Sequence, residues 1–206
     1  MIHCVSNQVK SQYLEGWKGT YRSSTHFWYM TTKRDMSFER IIEMFRRDDN
    51  ITSQILQILD AVEHMHNLGF VHRNLSPNVI FQSHDPDRPF FIADHFYTTQ
   101  ISNSNMNSGL PGNKYMIKSS KWRAGSKKQD LNALGGIIMA WAVGLDDYKK
   151  TMKKKKDRLA YAWLFQQNNS FNPNLREIVG GTLLRPDAPL KLAQIRMLFE
   201  AYIEDT

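Results

Sequence analysis

One stretch of the sequence, residues 51–81, constrains the fold more than any other. Its first half carries apolar residues at alternating steps of four and three, which predicts an amphipathic helix through Ile51, Ile55, Ile58, Val62 and Met65. Gly69 stands where a helix C-terminus favours a residue that tolerates a positive φ angle. A polar loop follows, and residues 79–81 are strand-like. A loop held between a long helix and a strand is a common place for functional residues.

The other apolar patterns predict a little β-structure followed mostly by helix. Residues 13–21 and 26–32 are rich in aromatic and β-favouring residues, and they predict a hairpin with its turn at 22–25. A further strand is predicted at 90–93. Helical spacing is found in residues 37–47, 131–141, 157–167, 174–184 and 189–204. We therefore expect an α+β fold that is mainly helical.

Composition excludes several classes of protein. The chain has 206 residues and one cysteine, Cys4, which excludes an intramolecular disulfide framework and argues against a cysteine-based zinc site. No run approaches the about 18 apolar residues of a membrane-spanning helix. The start of the chain lacks a basic region followed by a long apolar stretch, so no signal peptide is expected. We expect an intracellular protein, cytoplasmic or nuclear, with no membrane partner.

Basic residues are concentrated in two clusters. The net charge is +7, which favours acidic partners, phosphate groups or nucleic acid. Residues 97–129 contain no carboxylate and are rich in Asn, Ser, Gly and Lys, which predicts a long loop of the kind that is often functional. The first cluster lies there and includes Lys121, Arg123, Lys127 and Lys128. The second, at 149–158, is read as a solvated loop or helix start, or else as an anion-binding surface.

Three motifs occur in an order that resembles eukaryotic protein kinases. Residues 64–81, HMHNLGFVHRNLSPNVIF, resemble the kinase catalytic loop, usually of the form HRDLKPENIL. Residues 93–96, ADHF, lie where kinases carry the DFG motif. Residues 127–135, KKQDLNALG, resemble the RRxDLExLG stretch of the casein kinase 1 and vaccinia-related kinase branch, and residues 183–189 with the helix after them resemble its closing helices. The resemblance covers about residues 13–204.

The resemblance implies a domain organisation. Residues 1–33 would be a remnant of the kinase small lobe and hinge, with a short β-hairpin. Residues 34–206 would form the mainly α-helical large lobe, in which 97–129 is an activation-segment-like loop. No glycine-rich loop or strand lysine is recognisable, and the residues before position 26 are too few to hold those elements.

At the aligned catalytic positions the chemistry is changed. Asn74 replaces the aspartate that accepts or orients the substrate hydroxyl proton, and an amide cannot take that proton. Ser76 replaces the lysine of the loop, and Val79 replaces the metal-binding asparagine, with Asn78 one residue away. Asp94 is kept as a candidate cofactor and metal ligand. We therefore expect no intact catalytic set and no cofactor, with ATP and magnesium at Asp94 as the alternative.

Residues that organise the kinase large lobe are kept. His72 and Arg73 match residues that organise the loop in the family. Asp130 matches the aspartate that holds the loop backbone, and Gly135 and Trp141 lie where its helix packs. His64, His66 and His95 are interpreted as packing or surface histidines.

Three functions fit these observations. The first is an inactive kinase-like protein, a pseudokinase, which binds a kinase or its substrates as a regulator or decoy. The second is a residual serine/threonine kinase that binds ATP and depends on Asp94. The third is a basic protein that binds anions or nucleic acid through the two clusters, with an affinity that falls steeply with salt. In the first, the groove beside Asn74 and the segment with Lys121, Arg123, Lys127 and Lys128 would bind the partner.

Overall fold

The computed structural model describes residues 17–22, 27–31, 34–45, 50–83, 90–101, 113, 115–116, 126–154, 172–185 and 187–205. The helix predicted at 157–167 and the hairpin turn at 23–25 lie outside the described residues.

The predicted N-terminal hairpin is confirmed. Strand β1 (Trp17–Arg22) pairs antiparallel with β2 (Phe27–Thr31), in a register that sets Tyr21 opposite Trp28. The register shifts between Trp17 and Gly19.

Two helices follow, close to the bounds that apolar spacing predicts. Helix α1 (Phe38–Phe45) buries Phe38, Ile41 and Ile42. Helix α2 (Asn50–Asn67) buries an apolar stripe comprising Ile55, Ile58, Leu59, Val62 and Met65. Gly69 follows it with φ +83°, a conformation that a residue with a Cβ adopts only with strain. This glycine lets the chain leave the helix and enter the next strand at once.

Four very short strands frame the central loop. Strand β3 (Phe70–Val71) pairs with β6 (Thr99–Gln100), and β4 (Ile80–Phe81) pairs with β5 (Phe91–Ile92), both antiparallel. The loop between β3 and β4 contains a 3₁₀ turn at Pro77–Val79, so the predicted strand 79–81 is one residue shorter.

Helix α3 (Lys127–Val143) is the buried centre of the fold, since nearly every residue from Gln129 to Trp141 is inaccessible to solvent. Its start corrects the prediction of a loop over 97–129. The side chain of Ser126 accepts a hydrogen bond from the backbone N–H of Lys128 and caps the helix four residues earlier than the apolar pattern begins. Strand β6 also falls within that predicted loop.

The remaining helices of the described residues pack around α3. They are α4 (Leu145–Lys154), α5 (Pro173–Val179), which runs into a π-helical turn at Gly180–Leu184, and α6 (Leu192–Glu204). The ring of Trp141 lies 5.9 Å from those of Phe199 and Tyr202, which fixes α6 against α3. The fold is α+β and mainly helical, as predicted. Among the described helices none is both long and apolar enough to cross a membrane.

Candidate functional site

The carboxylate of Asp130 is the centre of a buried hydrogen-bond network. Its Oδ2 accepts the backbone N–H of His72 at 2.8 Å, and its Oδ1 accepts the backbone N–H of Arg73 at 2.8 Å. The Nε2 of His66 donates to Oδ2 at 2.9 Å. Asp130 is 0% exposed, so a buried charge is compensated by three donors and fixes the backbone of the loop that follows β3.

Three elements bring these groups together. Asp130 lies in the first turn of α3, where the helix dipole favours a negative charge. His66 lies in the last turn of α2, and the loop begins one strand later. Burial raises the pKa of Asp130, but the hydrogen bond and charge of His66, together with His72, outweigh it and hold that pKa below its ordinary value. Asp130 is therefore ionised in the folded protein.

Two histidines connect the loop to the residues after β5. The Nε2 of His72 donates to the carbonyl of Ala93 at 2.8 Å, while its Nδ1 accepts the backbone N–H of Asn74. The Nε2 of His95 donates to the carbonyl of Ile92 at 3.0 Å, and the two imidazole rings meet edge to face. Burial lowers the pKa of His72, and burial with the repulsion of His72 lowers the pKa of His95 to about 3. Both imidazoles are neutral near pH 7.

The positions that would carry kinase chemistry lie on the loop held by this network. Asn74 is partly buried and follows Arg73, whose φ is +70°. Ser76 precedes the 3₁₀ turn, in which Val79 is buried and Asn78 is exposed. Because these two side chains have opposite environments, Asn78 does not take the place of Val79.

Asp94 is paired with an arginine. It has φ +57°, and its Oδ1 accepts a hydrogen bond from Nη2 of Arg34 at 2.9 Å. The guanidinium of Arg34 also lies 4.9 Å from the centre of the Phe81 ring, which is a cation–π distance.

These residues do not fit a magnesium–nucleotide complex. Such a site uses oxygen ligands from an aspartate and an asparagine, which together hold ions that bridge the phosphates. Here Val79 offers no oxygen and the carboxylate of Asp94 already has a cation. Within the described part of the chain, no three His, Cys, Asp or Glu side chains are grouped so that they could hold a metal.

The other residues singled out from the sequence are spread over α3 and its surroundings. Gly135 faces Thr182, whose Oγ1 would lie 1.9 Å from a Cβ at position 135. Lys127 is exposed, whereas the Nζ of Lys128 donates to the carbonyl of Asp187. Lys121 and Arg123 lie outside the described residues. In the second cluster, the Nζ of Lys149 pairs with Glu39 and Glu43 of α1.

Two residues of the site are missed by sequence reasoning. His66 is read as a packing or surface residue, and it is buried, but it also binds Asp130, 64 positions away. Arg34 is not considered, although it pairs with Asp94 across 60 positions. Nothing local marks either residue, since each pairing depends on how distant elements approach each other.

Comparisons with known proteins give local similarity to protein kinases. The calcium/calmodulin-dependent protein kinase type 1 of Macrobrachium nipponense is 35% identical over 80 residues, which is 36% of this chain and 23% of that kinase. The type IV enzymes of Homo sapiens and Rattus norvegicus are each 39% identical over 59 residues, which is 28% of this chain and 12% of each kinase. The alignments thus span less than a quarter of these relatives. No protein-family model matches the chain.

This local similarity identifies a broad class of protein but no branch within it. Part of this chain is weakly homologous to protein kinases, so it is a kinase-like protein. These matches do not support the narrower assignment to the casein kinase 1 and vaccinia-related kinase branch.

Proposed function

We propose that this protein is a non-catalytic member of the kinase-like class that acts by binding another protein. One observation carries the proposal: the buried carboxylate of Asp130 holds the backbone of the loop in place, while Asn74 stands where a kinase carries its catalytic aspartate. The backbone of the loop is thus held by a buried aspartate, as the kinase resemblance implies, but the loop lacks the carboxylate that would accept the proton.

Several independent substitutions support the loss of phosphotransfer. A placed general base contributes about 10²–10⁴ to a rate, and the Asn74 amide cannot act as one. The side chain of Val79 is buried and apolar, and Asp94 is paired with Arg34. Restoring one of these groups leaves the others missing. The alternative of a residual serine/threonine kinase would require a cation to displace Arg34 from Asp94.

A segment anchored beside the loop supports a binding role. Nδ2 of Asn113 donates to the carbonyl of Leu75 at 2.6 Å, and its Oδ1 accepts the backbone N–H of Tyr115 at 2.9 Å. The carbonyl of Tyr115 in turn lies against Gly136 of α3, where a Cβ would come within 2.0 Å. These contacts hold Asn113 and Tyr115 beside the loop, in the part of the chain where a kinase receives its protein substrate.

We propose as partner a protein kinase or a substrate of one, which this chain would regulate or intercept. The casein kinase 1 and vaccinia-related kinase branch is the narrower affiliation that the KKQDLNALG motif favours. The basic alternative, an anion or nucleic-acid binder, would act through exposed cations such as Lys127, Lys150 and Lys153.

The test is equilibrium binding of the 206-residue chain to a panel of purified protein kinases and their protein substrates. Asn113→Ala removes both anchoring hydrogen bonds beside the loop, and Asn174→Ala, which removes a side-chain contact to Asp205, is the matched control. We expect saturable binding to a panel member, weakened at least tenfold by Asn113→Ala and unchanged by the control or by ATP. The absence of binding, or equal loss in both variants, would refute the proposal.

A further inference from the structure

We propose that Arg34 is an internal cation that excludes a metal–nucleotide complex from the carboxylate of Asp94 and replaces it as the group that fixes the Asp94 turn. The inference deepens the proposed function and rests on it, because it explains why partner binding would not depend on nucleotide.

The backbone around Arg34 is fixed against the strand pair that precedes Asp94. The carbonyl of Met36 accepts the backbone N–H of Gln82 at 2.9 Å, and Ser37 forms an isolated bridge with Phe81. Phe81 ends β4, which pairs with β5, and Asp94 follows β5 by two residues. Main-chain contacts therefore position the backbone of Arg34 against this strand pair, and its guanidinium reaches the same pair.

The guanidinium spans the distance from strand β4 to the Asp94 turn. It lies 4.9 Å from the centre of the Phe81 ring and donates to Asp94 Oδ1 at 2.9 Å. Its side chain is 28% exposed and that of Asp94 is 35% exposed, so solvent screens the pair only in part. An arginine cannot lose its proton at accessible pH, so the positive charge is permanent.

A permanent charge at this place has two consequences. A divalent cation that approached Asp94 would meet a like charge within hydrogen-bond distance of that carboxylate, and it would have to displace that charge first. The turn itself, with Asp94 at φ +57°, is a conformation that other contacts must maintain. Arg34 provides one such contact whether or not a nucleotide is present.

The test combines ligand response with local hydrogen exchange in the 206-residue chain. Arg34→Met keeps an apolar side chain and removes the charge, and Asp94→Asn keeps a residue type that tolerates φ > 0. Arg40→Met is the control, because Arg40 is an exposed arginine whose pairing with Glu43 is local to α1. The readouts are the melting midpoint with and without millimolar Mg²⁺ and ATP, and the exchange rates of the amides of residues 95–98.

We expect no ligand-induced shift in the wild-type midpoint. Each single variant, Arg34→Met and Asp94→Asn, should exchange about three- to tenfold faster at residues 95–98, as a partly exposed pair implies. The double variant should exchange no faster than the singles, because both remove the same interaction. Arg40→Met should match the wild type.

Three results would overturn the inference: a midpoint raised several degrees by Mg²⁺ and ATP in the wild type, unchanged exchange in Arg34→Met, or multiplicative effects in the double variant. Failure here is distinguishable from failure of the proposed function. Unchanged exchange in Arg34→Met removes the role of Arg34 and leaves partner binding untouched, whereas absent partner binding with the expected exchange rates removes only the binding role.

Discussion

Replacing Asp130 with asparagine tests the network that holds the loop. The amide has nearly the same shape as the carboxylate, but one of its two atoms donates instead of accepting. If Nδ2 takes the place of Oδ1, the backbone N–H of Arg73 loses its acceptor, and if it takes the place of Oδ2, the backbone N–H of His72 loses its acceptor. In either orientation at least one buried donor has no partner, and the remaining bonds lose their charge.

The size of the effect follows from these contacts. An unsatisfied buried donor costs about 1–3 kcal/mol, and removing one partner of a buried ionic network costs about 3–5 kcal/mol in all. A domain has about 5–15 kcal/mol of stability, so the loss is a large share of it. For a chain of this length each kcal/mol moves the midpoint by about 2–4 °C, so we expect a decrease of about 6–20 °C.

The assay is thermal and urea unfolding at pH 7. Asp146→Asn removes the same charge from an exposed residue in the first turn of α4, and it should change the unfolding free energy by less than about 0.5 kcal/mol. Equal stability of Asp130→Asn and Asp146→Asn would refute the reasoning, since the buried carboxylate would then contribute nothing that an exposed one does not.

Three further predictions test other parts of the structure. Acidification from pH 7.5 to 5.5 should lower the unfolding free energy, by about 1 kcal/mol for His95 and in the same direction for His72, because their lowered pKa values let the unfolded chain take up protons near pH 6.5 more readily than the folded protein does. Urea titrations should show a smaller loss in His95→Gln, and a gain in stability on acidification would contradict the assigned neutral states. Gly136→Ala should lower the unfolding free energy by more than about 2 kcal/mol, because the added Cβ would meet the carbonyl of Tyr115. Gly69→Ala should lower it by about 1–2 kcal/mol in the same titrations, because there is open space at position 69 but its φ is +83°. A larger loss for Gly69→Ala than for Gly136→Ala would contradict the close approach of Tyr115 to Gly136. Asn74→Asp should not create phosphotransfer from labelled ATP, because Val79 and the Arg34–Asp94 pair are unchanged. Measurable transfer would mean that the missing carboxylate at position 74 alone causes inactivity.

The sequence predicts those parts of the fold that depend on local patterns. Neighbouring residues alone give the apolar spacing of α2, the apolar run of α3 and the end of α2 before Gly69. The structure confirms all three. The predicted start of α3 is four residues too late, because a serine cap followed by two lysines gives no apolar pattern. The π-helical turn after α5 is likewise not visible in spacing, since it continues the pattern of a helix.

The site is less predictable because its contacts join distant residues. The kinase resemblance draws attention to Asp130 and the loop, but not to His66, whose role depends on how closely α2 approaches α3. The pairing of Arg34 with Asp94 requires a backbone path that no motif describes. Residue types at aligned positions thus indicate what chemistry is missing, and only the three-dimensional arrangement identifies which groups take its place.

The most direct test of the central claim is a phosphotransfer assay on the purified chain. Labelled ATP would be supplied with Mg²⁺ or Mn²⁺ and with casein and histone as acceptors, at a sensitivity well below one turnover per hour. We expect no transfer above a protein-free control, to an added acceptor or to the chain itself. Transfer that increases in proportion to the protein and is abolished by Asp94→Asn would contradict a kinase-like scaffold without catalysis.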